Sequence, residues 1–176
     1  APVGVNAPWY SFSGGAEDFS VAGNYVYITG TVTGSNPGVR IIETVVPATP
    51  VEVGTWGYPY TGSTLGVAVM GNYLYVGFNG NSFNSTGMVH ILDVTDKSAP
   101  TRTAYISHVG SYYALVRRGE MLYVAGGNDG DFRRYDLNNP TSPLLTLHLN
   151  QPGYVEQVEV AGDLVYLRSR QDHYGI

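Results

Sequence analysis

A short segment centred on a glycine recurs four times along this chain of 176 residues, and it constrains the fold more than any other feature. The two clearest copies, residues 21–28 and 69–76, read VAGNYVYI and VMGNYLYV, and weaker copies occupy residues 117–124 and 160–167. The glycines are spaced 48, 48 and 43 residues apart: Gly23, Gly71, Gly119 and Gly162. Self-similarity at such a period is typical of proteins built from stacked repeats.

A second column of residues recurs in register with the first. An acidic residue ends the segments VRIIE, VHILD and FRRYD, and each stands seven positions before a proline: Glu43 and Pro50, Asp93 and Pro100, Asp136 and Pro143. Two columns in one register predict a single domain over residues 1–176, made of successive units. Their bounds are a terminal strand at 1–16, units at 17–64, 65–112 and 113–155, and a partial unit at 156–176.

Each unit is predicted to contain four short strands and essentially no helix. In the second unit the strands fall at residues 65–70, 73–78, 89–94 and 101–106, with a tight two-residue turn between the first two. Several strands are apolar on both faces, so both faces of each sheet must be covered. We therefore predict an all-β fold, a β-propeller of ~48-residue four-stranded blades. A β-sandwich is the main alternative, but it gives no reason for the repeat.

The same segments resemble the LVIVD repeat. GNYVYI (23–28), GVRIIE (38–43) and TPVEVG (49–54) are similar to its second, third and fourth strands, and the likeness weakens from residue 107 onward. The resemblance implies propeller architecture and a place among bacterial or archaeal surface or secreted proteins. The localisation it implies is therefore extracellular or at the cell surface, and it implies no catalytic residues.

The strand count raises a question about the ends of the chain. Residues 1–5 match the fourth-strand pattern, and residues 175–176 look like the beginning of a third strand. About four blades are therefore expected, with one shared between the N- and C-terminal segments, which removes an unpaired edge. Two other arrangements are open: a longer propeller that continues beyond this sequence, or a blade completed by a neighbouring molecule to give an oligomer or fibre.

Composition argues against several classes of function. Charged residues make up 13% of the chain, the net charge is −5 and the pI is near 5.2, which argues against electrostatic nucleic-acid binding. No apolar run approaches the ~20 residues of a transmembrane segment, and the absence of cysteine excludes thiolate catalysis and cysteine-ligated metals. Because no catalytic motif is present either, we expect a protein that is not an enzyme and needs no cofactor.

Three carboxylates form a candidate calcium site. Glu17 and Asp18 precede Gly23 by six and five residues, and Glu156 precedes Gly162 by six. Innermost strands begin at the channel mouth of a propeller, where the first and last blades of a closed four-bladed ring would be neighbours. The three side chains could then offer oxygen ligands to Ca²⁺. The alternative is that they are solvated loop acids.

Aromatic residues gather in the connections from fourth to first strands. They suit stacking on sugars or anchoring a protein partner, and they equally suit packing between blades. The candidate ligand-binding residues are Trp9, Trp56, Tyr58, Tyr60 and Tyr112.

These features favour a non-enzymatic extracellular propeller that acts as a structural or interaction module. It would bind a protein partner or associate with itself, assembling into oligomers or fibres by blade completion. Two alternatives stay open at this point. One is a carbohydrate-binding module that uses the tryptophan and tyrosine residues, and the other is a calcium-dependent binder or enzyme at the channel mouth.

Overall fold

The computed structural model describes residues 15–33, 36–59, 62–80, 87–107, 112–126, 131–150 and 154–170. These residues form fourteen strands and no helix. The first sheet contains β1 (Ala16–Ala22), β2 (Tyr25–Thr33), β3 (Asn36–Glu43) and β4 (Val51–Gly57). The second contains β5 (Gly62–Met70), β6 (Tyr73–Gly80), β7 (Met88–Asp93) and β8 (Thr101–Ser107). The third contains β9 (Tyr112–Arg118), β10 (Met121–Gly126), β11 (Asp131–Asp136) and β12 (Leu144–Asn150). The last contains β13 (Tyr154–Ala161) and β14 (Leu164–Arg170).

Each sheet is an antiparallel meander in which every strand pairs with the next one in the sequence. The all-β prediction is confirmed, and the strands predicted for the second unit match β5–β8 to within three residues at every end. Closure of the sheets into a ring is not established. The predicted terminal strands at residues 1–5 and 175–176 lie outside the described residues.

The recurring glycine makes the first hairpin turn of every sheet. Gly23, Gly71, Gly119 and Gly162 have φ values of 57°, 56°, 56° and 60°, and no other residue type in the described chain has positive φ. A two-residue turn with positive φ only at its first position is type II′, which demands glycine there and leaves the second position free. This explains why Glu120 can stand where the first two units have asparagine.

One hydrogen bond joins the two columns of the repeat. The backbone N–H after the acidic residue donates to the carbonyl of the second turn residue, from Thr44 to Asn24 (2.7 Å), from Val94 to Asn72 (2.8 Å) and from Leu137 to Glu120 (2.7 Å). The carboxylates of Asp93 and Asp136 also accept a backbone N–H two residues ahead, at 2.8 Å each. The matching order of the glycine and the acidic residue in each unit of the sequence therefore reflects how the second and third strands pair.

Successive sheets pack face to face through apolar side chains. Between the first and second sheets these are Tyr27, Val39 and Ile41 with Val67, Val69, Leu74, Val76, Leu92 and Val94. Between the second and third they are Ala68, Tyr75, Val89 and Ile91 with Leu115, Leu122, Val124, Tyr135 and Leu137. Between the third and last they are Ala125 and Phe132 with Val155 and Val158. The middle sheets are therefore covered on both faces, as their doubly apolar strands require.

We call the face of a sheet that packs on the preceding sheet its rear face, and the opposite one its front face. Val67 and Val69, four and two residues before Gly71, lie on the rear face of the second sheet and are buried. Phe19 and Val21 occupy the same two positions in the first sheet, where they are 66% and 57% exposed. The rear face of the first sheet is thus apolar and open.

The front face of the last sheet is open in the same way. Tyr27 and Tyr75, four residues after their glycines, lie on front faces and are fully buried against the following sheet. Tyr166 occupies this position in the last sheet and is 56% exposed. No helix among the described residues is long and apolar enough to cross a membrane.

Candidate functional site

Residues from the innermost strands of all four sheets line one cavity. β1, β5, β9 and β13 contact one another in chain order and line a space of about 430 Å³. Glu17, Asp18 and Glu156 are all on its wall. The structure therefore brings the three sequence-predicted carboxylates to one cavity.

Asp18 uses both carboxylate oxygens to hold backbone. Its Oδ2 accepts the N–H of Val67 at 2.9 Å, which joins the first sheet to the second, and its Oδ1 accepts the N–H of Phe19 at 2.8 Å. Burial raises the pKa of Asp18, and these two N–H groups oppose the rise. The contacts give Asp18 a structural role between sheets.

Glu156 is paired within its own hairpin. Its Oε2 lies 3.3 Å from the Arg168 guanidinium, and both side chains are substantially exposed. Within the described part of the chain, no group of three or more histidine or acidic side chains is arranged to hold a metal ion. The calcium site stays a prediction, which thermal melts in CaCl₂ and in EDTA would test.

A second and larger pocket opens between the outer strands of the first and second sheets. It has a volume of about 530 Å³, within the range of small-molecule sites. Its lining comes from the end of β4 and the loop after it, and from β7 and β8: Trp56, Gly57, Tyr58, Pro59, Met88, Arg102 and Tyr105. Trp56 and Tyr58, which the sequence predicted as ligand-binding residues, are both in this lining.

The pocket rests on a packed aromatic cluster. The Tyr58 ring lies 4.7 Å from Phe78 and 4.5 Å from His90, and Trp56 lies 5.1 Å from His90, all as centroid distances. A backbone hydrogen bond of 2.8 Å from the Tyr58 N–H to the Pro37 carbonyl fixes the loop that carries the tyrosine. The rings are thus held in place before any ligand arrives, which lowers the entropic cost of binding.

His90 is unusual among the repeat positions. It is fully buried, and neither ring nitrogen has a hydrogen-bond partner among the residues that the structure describes. Burial, with a smaller contribution from Arg102, lowers its pKa to about 4, so the ring is neutral at pH 7. A buried imidazole without polar partners destabilises the fold, and such departures concentrate at functional sites.

Comparison with the other units shows how the second one differs. The position of His90, three residues before the acidic residue, is held by Arg40 in the first unit and by Arg133 in the third. Arg40 pairs with Glu52 at 2.9 Å, and Arg133 pairs with Asp131 at 3.0 Å. The second unit replaces a paired arginine with an aromatic cluster and opens a pocket above it.

Arg102 and Tyr105 were missed as site residues by the sequence reasoning. The Arg102 guanidinium lies 5.8 Å from the Tyr58 ring centroid and 5.9 Å from that of Tyr105. The register that pairs Tyr105 with His90 was the available signal, because the predicted strands already placed 89–94 beside 101–106. What the sequence could not supply was the approach of β4 from the preceding sheet.

Of the other predicted aromatic residues, Trp9 and Tyr60 lie outside the described residues. Tyr112 is the first residue of β9 and pairs with Gly126, and its side chain lies outside what the structure describes. The predictions for these three residues are therefore untested.

Antiparallel four-stranded sheets that pack face to face, with their innermost strands side by side, define a propeller-like repeat protein. The comparisons with known proteins agree. The LVIVD repeat matches residues 13–32 and 61–106. The resemblance to the LVIVD repeat that was seen in the sequence is therefore confirmed over these residues.

A solved structure with the same fold is the computationally designed Ika4 protein. It is 9% identical, superposes with a TM-score of 0.67, and the alignment covers 92% of this chain and 89% of Ika4. At this identity the likeness bears on the fold alone. No curated protein sequence matched the chain.

Proposed function

We propose that this chain is a non-enzymatic, extracellular, propeller-like module that works by binding, and that it associates with further copies of itself. The rear face of the first sheet would dock on the front face of the last sheet of a second copy. The observation that carries this proposal is the exposure of Phe19 and Val21. The position of Phe19 is buried in every sheet that follows another, as Val67, Leu115 and Val158, and the position of Val21 is buried in the second sheet, as Val69.

The two open faces are complementary because they carry the same repeat positions that pack against each other between successive sheets of one chain. In the first interface, Tyr27 from a front face packs with Val67 and Val69 from a rear face. Tyr166 of one copy would take the place of that tyrosine, and Phe19 and Val21 of the next copy would take the places of the two valines. Burial of each such side chain stabilises an interface by about 2 kcal/mol. Contacts between two different faces propagate from copy to copy and give rings or filaments.

Sedimentation velocity over a series of protein concentrations tests the association. The wild type should form larger species as concentration rises, and Phe19→Ser combined with Val21→Thr should abolish them. Val45→Thr combined with Val46→Thr is the matched control, because these valines are similarly exposed but lie in the connection between β3 and β4, outside the sheet face. A wild type that stays monomeric at every concentration contradicts the proposal.

Two features support the extracellular part of the proposal: the LVIVD repeats and the low content of charged residues. Surface labelling of intact source cells with an antibody, with and without added protease, tests it. Signal found only after the cells are permeabilised would contradict it.

A second candidate function is carbohydrate binding. It is favoured by the open pocket with Trp56, Tyr58 and Tyr105 in its lining, because sugar rings stack their C–H faces on such side chains. Calorimetric titration with defined oligosaccharides tests it, and silence against every class of sugar would remove it.

A further inference from the structure

We propose that the pocket lined by Trp56, Tyr58, Met88, Arg102 and Tyr105 binds an acidic sugar of the uronic acid type, with its carboxylate on Arg102. This inference rests on the second candidate function above and names its ligand class. The pocket lies between the first and second sheets, where the repeat departs from its own pattern at His90.

Charge complementarity selects an anion. Arg102 is the one charged residue among the described residues of the lining. It contacts the faces of Tyr58 and Tyr105, and among the described residues its guanidinium has no hydrogen-bond or ion-pair partner. The planar guanidinium can therefore direct two parallel N–H groups at a carboxylate while its face stays on the rings.

The rest of the lining suits a ring with an apolar face. Tyr105 is 57% exposed and presents its ring at the rim, and Trp56 and Tyr58 continue the aromatic surface inward. A pyranose carries C–H groups on one face and hydroxyls around its edge, so it can stack here and remain hydrated. The uronic carboxylate adds the group that Arg102 requires.

The net charge of −5 opposes the approach of an anion, but this effect is limited in range. At physiological salt, charges more than ~8 Å away are largely screened, whereas a carboxylate bound to Arg102 lies at contact distance. We therefore expect affinity to come from the local pair, and added salt to weaken binding only moderately.

The test compares two sugars that differ only at C6. Isothermal titration uses a galacturonic acid trimer and the galactose trimer of the same linkage. The acidic trimer should bind at least about tenfold more tightly, as expected for a charge-assisted pair worth at least about 1.4 kcal/mol. Arg102→Gln should remove this preference, and Arg102→Lys should restore part of it. Tyr105→Ser should weaken the binding of both trimers.

Two matched controls separate the pocket from general surface effects. Arg168→Gln removes an exposed arginine of the last sheet, and Leu144→Ser removes an exposed apolar side chain of β12 in the third sheet. Neither should change binding of the acidic trimer.

Each outcome bears on a different claim. Equal affinity for both trimers, or an unchanged preference in Arg102→Gln, overturns the acidic ligand and leaves the carbohydrate function standing. Binding of neither trimer, with binding of a proline-rich peptide instead, overturns both, because Trp and Tyr grooves also accept such peptides.

Discussion

His90 provides a perturbation whose effect can be calculated in advance. The imidazole is fully buried among Trp56, Tyr58 and Phe78, and in the described part of the chain neither nitrogen has a hydrogen-bond partner. Phenylalanine keeps a flat aromatic ring at this site, although a larger one, and brings no buried polar atoms. We expect His90→Phe to be at least as stable as the wild type at pH 7, because it relieves a desolvation cost of about 1–3 kcal/mol.

The larger effect of His90 on the free energy of unfolding depends on pH, and its sign follows from the lowered pKa of the imidazole. The folded state keeps the ring neutral down to about pH 4, whereas the unfolded chain takes up the proton near pH 6.5. The stability of the wild type is therefore unaffected by this group above pH 6.5 and decreases as the pH falls from 6.5 towards 4. At about 1.4 kcal/mol per pH unit, the loss reaches about 3 kcal/mol.

Urea denaturation of the two proteins at pH 7.5, 6.0, 5.0 and 4.2 measures this difference. Subtraction of the two curves cancels carboxylates that titrate equally in both proteins. The difference in unfolding free energy should grow by about 3 kcal/mol from the highest to the lowest pH, which corresponds to a relative Tm shift of roughly 6–12 °C. A constant difference across this range would refute the argument, since it would mean that the ring is protonated in the folded state or is not buried.

Three further substitutions test the packing of the repeat. Gly54→Ala places a Cβ against the backbone carbonyl of Lys97, in the connection between β7 and β8. Urea denaturation should show a loss of about 2 kcal/mol in the free energy of unfolding. An unchanged stability would contradict the close approach of these two sheets. Gly71→Ala meets no neighbouring atom but must adopt a φ of +56°. We therefore expect a loss of about 1–2 kcal/mol from backbone strain alone, and an unchanged stability would argue against positive φ at this turn position. Asp131→Ala removes a buried carboxylate that lies 2.8 Å from His148 and 3.0 Å from Arg133. We expect a drop in Tm that corresponds to about 3 kcal/mol of unfolding free energy. An unchanged Tm would mean that these three side chains are solvated.

The sequence predicted the parts of the fold that one unit determines by itself. Each hairpin glycine needs positive φ, and each acidic residue lies in register with its turn, so Gly71 and Asp93 could be assigned from spacing alone. The unit that departs from the repeat pattern, with Arg117-Arg118-Gly119-Glu120, still forms the same hairpin because only the glycine is demanded by the turn.

The candidate site was predicted only in part, because it lies between units. His90 occupies the repeat position of Arg40 and Arg133, and this equivalence indicated that it lies on a sheet face. It did not indicate that Trp56 and Tyr58 from the preceding sheet would lie over the imidazole. Arg102 was missed for the same reason. Equivalent positions in a repeat show which strands pair and in what register. The offset between neighbouring sheets depends on side-chain packing between units, which the repeat pattern of one unit does not show.

The central claim is that the open rear face of the first sheet binds the open front face of the last sheet of another copy. The chain has no cysteine, so Val21→Cys and Tyr166→Cys each introduce a single thiol, one on each face. On mild oxidation, a mixture of the two single variants should give a mixed disulfide dimer, and either variant alone should give far less. The double variant should form a ladder of linked chains. A double variant that forms only an internal disulfide, with no mixed dimer from the single variants, would contradict the claim and would show that the chain closes on itself.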